Sequence, residues 1–202
     1  MTASAFSTIR EKVRKAIRDA LGLLFADAEI DDMINGAQRE YAFCSGSLVG
    51  EMSVTIPEHG VFSAPPDFFE PVKFIGSDGF EKPFFSWKYL HDQYPDFRSV
   101  PGSELRGIVT DFDGFGKFRL FPVLLPGSSA GTFFYHRLPA KDKIETSNSE
   151  AIENHCLYQA FLLAGNNAAG IWYDRFNAAV NAEISLYRNM RPRSPYRYGR
   201  FF

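Results

Sequence analysis

The sequence predicts an α+β protein: N-terminal and C-terminal helices form one bundle, interrupted by an inserted antiparallel β-sandwich or open barrel and followed by an extended C-terminal tail. Three observations carry this prediction. Apolar residues recur at helical spacing at both ends of the chain, they alternate with polar ones in the middle, and 14 of the 21 phenylalanines lie between Phe62 and Phe134. Large flat rings suit a pleated, half-buried surface, so their concentration marks a small sheet packed on itself.

Between Ser7 and Leu24, the residues Ile9, Val13, Ile17, Ala20, Leu21 and Leu24 keep helical spacing, with Ser7 as the expected N-cap. Asp27 is placed to cap a second helix whose inner stripe is Ile30, Met33, Ile34, Ala37 and Tyr41, with Asp31, Asp32, Arg39 and Glu40 facing water. Beyond Cys44-Ser45-Gly46-Ser47 the period changes to two. Met52, Val54 and Ile56 alternate with Ser53 and Thr55, and Val72 to Ile75 runs into the turn Ser77-Asp78-Gly79 before Phe80 to Phe85. A short helix after Ser86, closed by Pro95, precedes two alternating runs joined at Asp113-Gly114 and a last strand through Phe133 to Arg137. About six strands are expected, enough for a small sandwich. The helical period then returns: Ser147 and Glu150 have capping-box spacing, with Ile152, Cys156, Ala160 and Leu163 on one face. After a break at Gly165-Asn166-Asn167, Trp172, Phe176, Ala179, Val180, Glu183, Ile184 and Tyr187 continue another helix toward Asn189. The expected boundaries are 1–48 and 141–189 for the bundle, 49–140 for the β module and 190–202 for the tail.

At 202 residues, 45% hydrophobic and 23% charged, the chain is globular in composition, and its size allows about 71% of the extended surface to be buried. A net charge of −2 argues against a uniformly basic coat on DNA and against an acidic disordered chain. No run approaches the ~18 apolar residues of a membrane span, and the opening segment lacks a signal peptide's apolar stretch. No membrane partner is expected. Cys44 and Cys156 lack metal-ligand spacing and read as reduced and buried.

Patterns that carry chemistry are weak. Gly127-Ser128-Ser129-Ala130-Gly131 matches GxSxG and would make Ser129 an esterase nucleophile, but the alternating aromatic segment after it reads as strand where an elbow needs a helix. Asp111 to Gly114 fails as a calcium loop, with Val109 and Leu120 where acidic ligands belong. His59, His91, His136 and His155 are scattered without paired spacing, and no phosphate or dinucleotide loop is complete. The expectation is therefore no catalytic residue, no metal and no cofactor. A small β-sandwich binding module, using Trp87, Tyr89 and Tyr94 on a carbohydrate or protein ligand, is an alternative reading; the plainer one is that these rings fill the core.

The C-terminal segment is distinct. Arg188, Arg191, Arg193, Arg197 and Arg200 occur there with Tyr196, Tyr198, Phe201 and Phe202, without any acid, and Pro192 and Pro195 favour an extended course. Without these arginines the rest of the chain holds 17 basic against 24 acidic residues, a net charge of −7. Arginine offers bidentate hydrogen bonds to carboxylate or phosphate and the rings offer anchors, so this segment is the candidate docking site for a partner; a solvated end is the plainer reading, and interleaved Arg and Tyr leave nucleic-acid binding open as well.

Four segments, DMINGAQREYAF, APPDFFEPVKF, RLFPVLLPGSSAGTFFYHRLPA and SEAIENHCLYQAFLLAG, occur in an order that resembles the head–tail adaptor proteins of tailed bacteriophages, notably the ring-forming adaptors of short-tailed phages called tail tubular protein A. The resemblance spans nearly the whole chain. It implies a virion protein at the head–tail junction, made in the host cytoplasm, forming a dodecameric ring beneath the portal protein. It also implies contact with a tail nozzle or other tail proteins, genomic DNA passing through the lumen without sequence-specific binding, and no catalysis. In such adaptors a C-terminal extension reaches the portal, and the segment from Arg188 to Phe202 occupies that place in the chain.

Overall fold

The computed structural model describes residues 3–19, 21–110, 113–146 and 148–190. The chain divides into a helical unit, residues 3–47 and 139–190, and a β unit, Leu48–Leu138. The architecture is α+β, as the alternation of periods predicts.

In the helical unit, α1 (Ala3–Ala16) and α2 (Asp27–Ser45) precede the β unit, and α4 (Ser149–Leu163) and α5 (Ala169–Met190) follow it. Their shared core contains Phe6, Ile9, Val13, Ile30, Ile34, Ala37, Tyr41, Ile152, Cys156, Leu157, Ala160, Phe176 and Val180. The predicted stripes of α2 and α4 are thus the buried ones, apart from Leu163, which is exposed. Helix ends differ from expectation. α1 begins before Ser7 because Phe6 joins the buried stripe, which extends the helix one turn toward the N-terminus. It stops at Ala16, short of Leu24, with Arg18 at φ 60°. At the start of α2 the capping position falls on Ala26, whose N–H donates to Glu29 Oε2 at 2.6 Å, while Asp27 is already helical. α4 is capped by Asn148, whose side chain accepts from the Ala151 N–H at 3.0 Å, so the cap falls one residue after the expected Ser147, itself outside the described residues.

The β unit has eight strands among its described residues, β1 (Val49–Thr55), β2 (Val61–Ser63), β3 (Phe68–Gly76), β4 (Glu81–Lys82), β5 (Phe84–Ser86), β6 (Gly107–Thr110), β7 (Lys117–Phe121) and β8 (Ser129–Arg137), with α3 (Trp87–Gln93) between β5 and β6. They form two four-stranded sheets, ordered β1-β8-β3-β4 and β2-β7-β6-β5. The excess over six arises where elements are shortest. Three-residue β2 is too brief to show alternation, and the run from Phe80 to Phe85 splits at Pro83, β4 pairing with β3 in one sheet and β5 with β6 in the other. One pair departs from the antiparallel expectation: β5 and β6 run parallel, because α3 and the segment after it provide the crossover such a pair requires. The inner faces meet over Phe62, Phe68, Phe74, Phe118 and Phe133, with the Phe118 and Phe133 centroids 4.9 Å apart. This is the sandwich the phenylalanines predict; neither sheet closes into a barrel. A second small core, Leu90, Phe97, Val109 and Phe121, lies under α3.

His155 is buried in the helical core, its ring 4.6 Å from that of Phe176. Burial pushes its pKa below the ordinary histidine value, partly opposed by the charge of Glu40. In the unfolded chain it takes up a proton near pH ~6.5, so its contribution is complete above that pH and is lost as pH falls toward the lower folded-state value. Acidification from about pH 7 to about pH 5 should therefore lower the thermal midpoint of the helical unit. His155→Phe, which keeps a ring against Phe176, should flatten that dependence in a pH series of melting curves.

Candidate functional site

Of the residues predicted to dock, Arg188 lies in the last turn of α5, and Arg191, Arg193, Tyr196, Arg197, Tyr198, Arg200, Phe201 and Phe202 lie outside the described residues. The helix therefore delivers the chain directly to that segment.

The helical unit carries a second candidate surface, which periodicity alone misassigned. Leu21 and Leu24, expected on the inner face of the first helix, are 83% and 61% exposed, and Leu23 between them is 82% exposed. The cause is Asp19. Its carboxylate accepts from the N–H groups of Leu23 (2.7 Å), Leu24 (3.1 Å) and Phe25 (3.1 Å), and Arg14 donates to it at 3.0 Å. Burial of Asp19 opposes its charge, but the three backbone donors and Arg14 outweigh that and hold its pKa below the usual carboxylate range. Arg14 also reaches Asp27, and Arg10 bonds Asp27 and both oxygens of Asp31, so α1 and α2 are tied by one charged network at the base of the leucines. Beside them a groove of about 520 Å³ is lined by Phe25, Met33, Leu162 and Leu163, with Glu29, Asp32 and Gln159 completing its wall.

Two further residues were not recognised as significant beyond their place in the DMINGAQREYAF segment. Asn35 and Gln38 are buried amides on α2. Asn35 Nδ2 donates to Asp142 Oδ1 at 2.8 Å, the Asp142 N–H returns a bond to Asn35 Oδ1 at 2.9 Å, and Gln38 Oε1 accepts from the Glu145 N–H at 3.2 Å. A polar residue inside an apolar helical stripe is the signal that points to them.

The remaining candidates take structural places. Ser129 opens β8 opposite Thr55, and strand rather than helix follows it, so the GxSxG match is no nucleophile elbow. Its last glycine has a packing role: Gly131, at φ 140°, lies between Val54 and Gly76, and a Cβ there would overlap the Ile75 carbonyl oxygen. Trp87, Tyr89 and Tyr94 are 44%, 54% and 48% exposed, so they do not fill the core; Tyr89 stacks on Phe85, Trp87 leans on His91, and Tyr94 on Phe121. Cys156 is buried, its thiol pKa pushed up by desolvation and then by Glu153, whereas Cys44 is exposed, contrary to expectation. The inward position in the last turn of α2 falls to Ser45, whose hydroxyl donates to the Tyr41 carbonyl at 2.6 Å.

A helical bundle interrupted by a small sandwich, with leucines locked at its surface, is the build of a component that assembles with other chains. The sequence matches the SU10 adaptor protein family over residues 4–197, and the protein belongs to that family. This makes it a phage structural adaptor, in accord with the head–tail adaptor resemblance. No curated protein matches the chain.

Two substitutions check these placements. Gly131→Ala should destabilise the β unit by about 3 kcal/mol in denaturant melts, since both the positive φ and the close backbone oppose a side chain. Asp19→Ala should raise hydrogen exchange at the Leu23, Leu24 and Phe25 amides about tenfold or more while leaving exchange in α4 unchanged.

Proposed function

We propose that the protein is the head–tail adaptor of a tailed phage, assembling as a dodecameric ring beneath the portal, joining capsid to tail and letting genomic DNA pass through its lumen. The observation that carries this reading is the family match over residues 4–197 together with the apolar side chains the helical unit holds in solvent. A ring needs the same pair of patches on every copy, so an isolated subunit exposes apolar surface that a neighbouring copy would cover. In this reading the helical unit makes the ring, the β unit faces the tail nozzle or other tail proteins, and the segment from Arg188 to Phe202 docks on the portal protein. The protein is then made in the host cytoplasm and ends at the head–tail junction of the virion.

The experiment is mass measurement of the full chain alone and with the phage's portal protein. Assembly into a ring and capture by the portal are expected; a protein that stays monomeric and ignores the portal defeats the reading. Deleting residues 191–202 should leave the subunit folded and lower affinity for the portal about tenfold or more. Raising salt should weaken the full-length protein's attachment more than that of the truncated one, because screened arginine contacts would account for the difference.

A further inference from the structure

Apolar side chains are rarely held rigidly in water without a partner. Leu23 and Leu24 are placed by backbone bonds to Asp19, and together with Leu21 they expose on the order of 400 Å² of apolar surface, the size of the largest patch on a typical monomer. They follow directly on Lys15 and Arg18, both exposed and cationic. The groove formed by Phe25, Met33, Leu162 and Leu163 has the opposite character: its charged lining is Glu29 and Asp32, and no basic side chain contributes to it. Its volume is about 520 Å³, and it stands open to solvent.

One chain therefore carries an apolar projection flanked by cations and an apolar groove flanked by anions. We propose that the leucine projection of one copy seats in the groove of a second copy, with Lys15 and Arg18 facing Glu29 and Asp32 across the contact. The proposal rests on the ring reading above and names the contact from which the ring is built. A heterologous interface requires two different, mutually complementary patches on every subunit, and these two satisfy that requirement without any further chain. The projection supplies at most about half of the ~800 Å² that each partner contributes to a stable interface, so neighbouring helical surface completes the contact. The electrostatic part sets orientation, since a leucine loop brought to another leucine loop would oppose like charges.

The test uses the full chain with exposed Cys44 replaced by serine. Leu23→Cys and Leu163→Cys are made separately, one of them carrying a size tag, and both positions are exposed enough to leave the fold intact. Mild oxidation of the mixture should yield a covalent pair holding one chain of each kind, and neither variant alone should yield it. The double variant should give a ladder beyond the dimer. Asp32→Lys should weaken assembly about tenfold, with recovery when Lys15→Glu is added. A mixed pair without a ladder keeps the contact and defeats the ring. If a ring forms by mass while the mixture gives no mixed pair and Leu23→Asp leaves assembly unchanged, the contact is overturned and the ring reading stands. A protein that remains monomeric at every concentration, with or without portal, overturns both.

Discussion

The bundle depends on the capture of the returning chain by α2. After Leu138 the polypeptide must re-enter a helical unit whose first half it left at Ser47. Two buried amides receive it. Asn35 exchanges two hydrogen bonds with Asp142, and Gln38 takes the Glu145 N–H. Burying an amide without partners costs about 1–3 kcal/mol, so these side chains are stabilising only when the segment is in register. A slip would leave both unpaired. That register fixes Asn148 as the cap of α4, and the cap sets which face of α4 turns inward: Ala151, Ile152, His155 and Cys156. Small residues at Ala37 and Ala160, both fully buried, let the helices approach closely.

The same economy of polar anchors operates at the α1–α2 connection, with the opposite outcome for apolar surface. Fully burying a leucine contributes about 1.5–3 kcal/mol. The fold forgoes that gain three times, because Asp19 takes the amide hydrogens that further turns of α1 would have placed along its axis. Continuing the helix to Leu24 would have kept the period but left the buried carboxylate facing Arg14 alone. The charged network therefore decides the geometry, and the leucines remain available to another surface.

Much of the fold was legible because it rests on periodicity. Both helical ends, the extended middle and the phenylalanine core follow from spacing and bulk. Spacing reports that a face is apolar, and it does not report what covers it. Leu21, Leu24 and Leu163 obey the helical period and lie in solvent, and Cys44 follows the inner stripe of α2 yet yields the inward place to Ser45. The GxSxG match, rejected from the alternating segment after it, has a structural cause that spacing does not show: Gly131 is required by the backbone of β3, a constraint set by a strand distant in sequence. Asn35 and Gln38 were visible as letters of a segment, but their role needs Asp142 and Glu145, which only the closed bundle brings near.

Charge adds a constraint on any ring built from this chain. The near-neutral total of −2 is a cancellation between residues 188–202, with five arginines, and a remainder at −7. Copies placed side by side bring acidic bodies together, and that repulsion has to be offset locally. Lys15 and Arg18 beside the leucines are suited to this, since they put positive charge where an acidic neighbour would come closest. An acidic lumen would also keep passing DNA from adhering, because phosphate contacts to cationic side chains are what hold it. In the proposed ring the basic segment would serve best away from the lumen, where its arginines would meet a protein partner rather than the genome. Separation of the two charges along the chain thus suits the proposed function, since it keeps the cationic side chains that could hold phosphate apart from the acidic body.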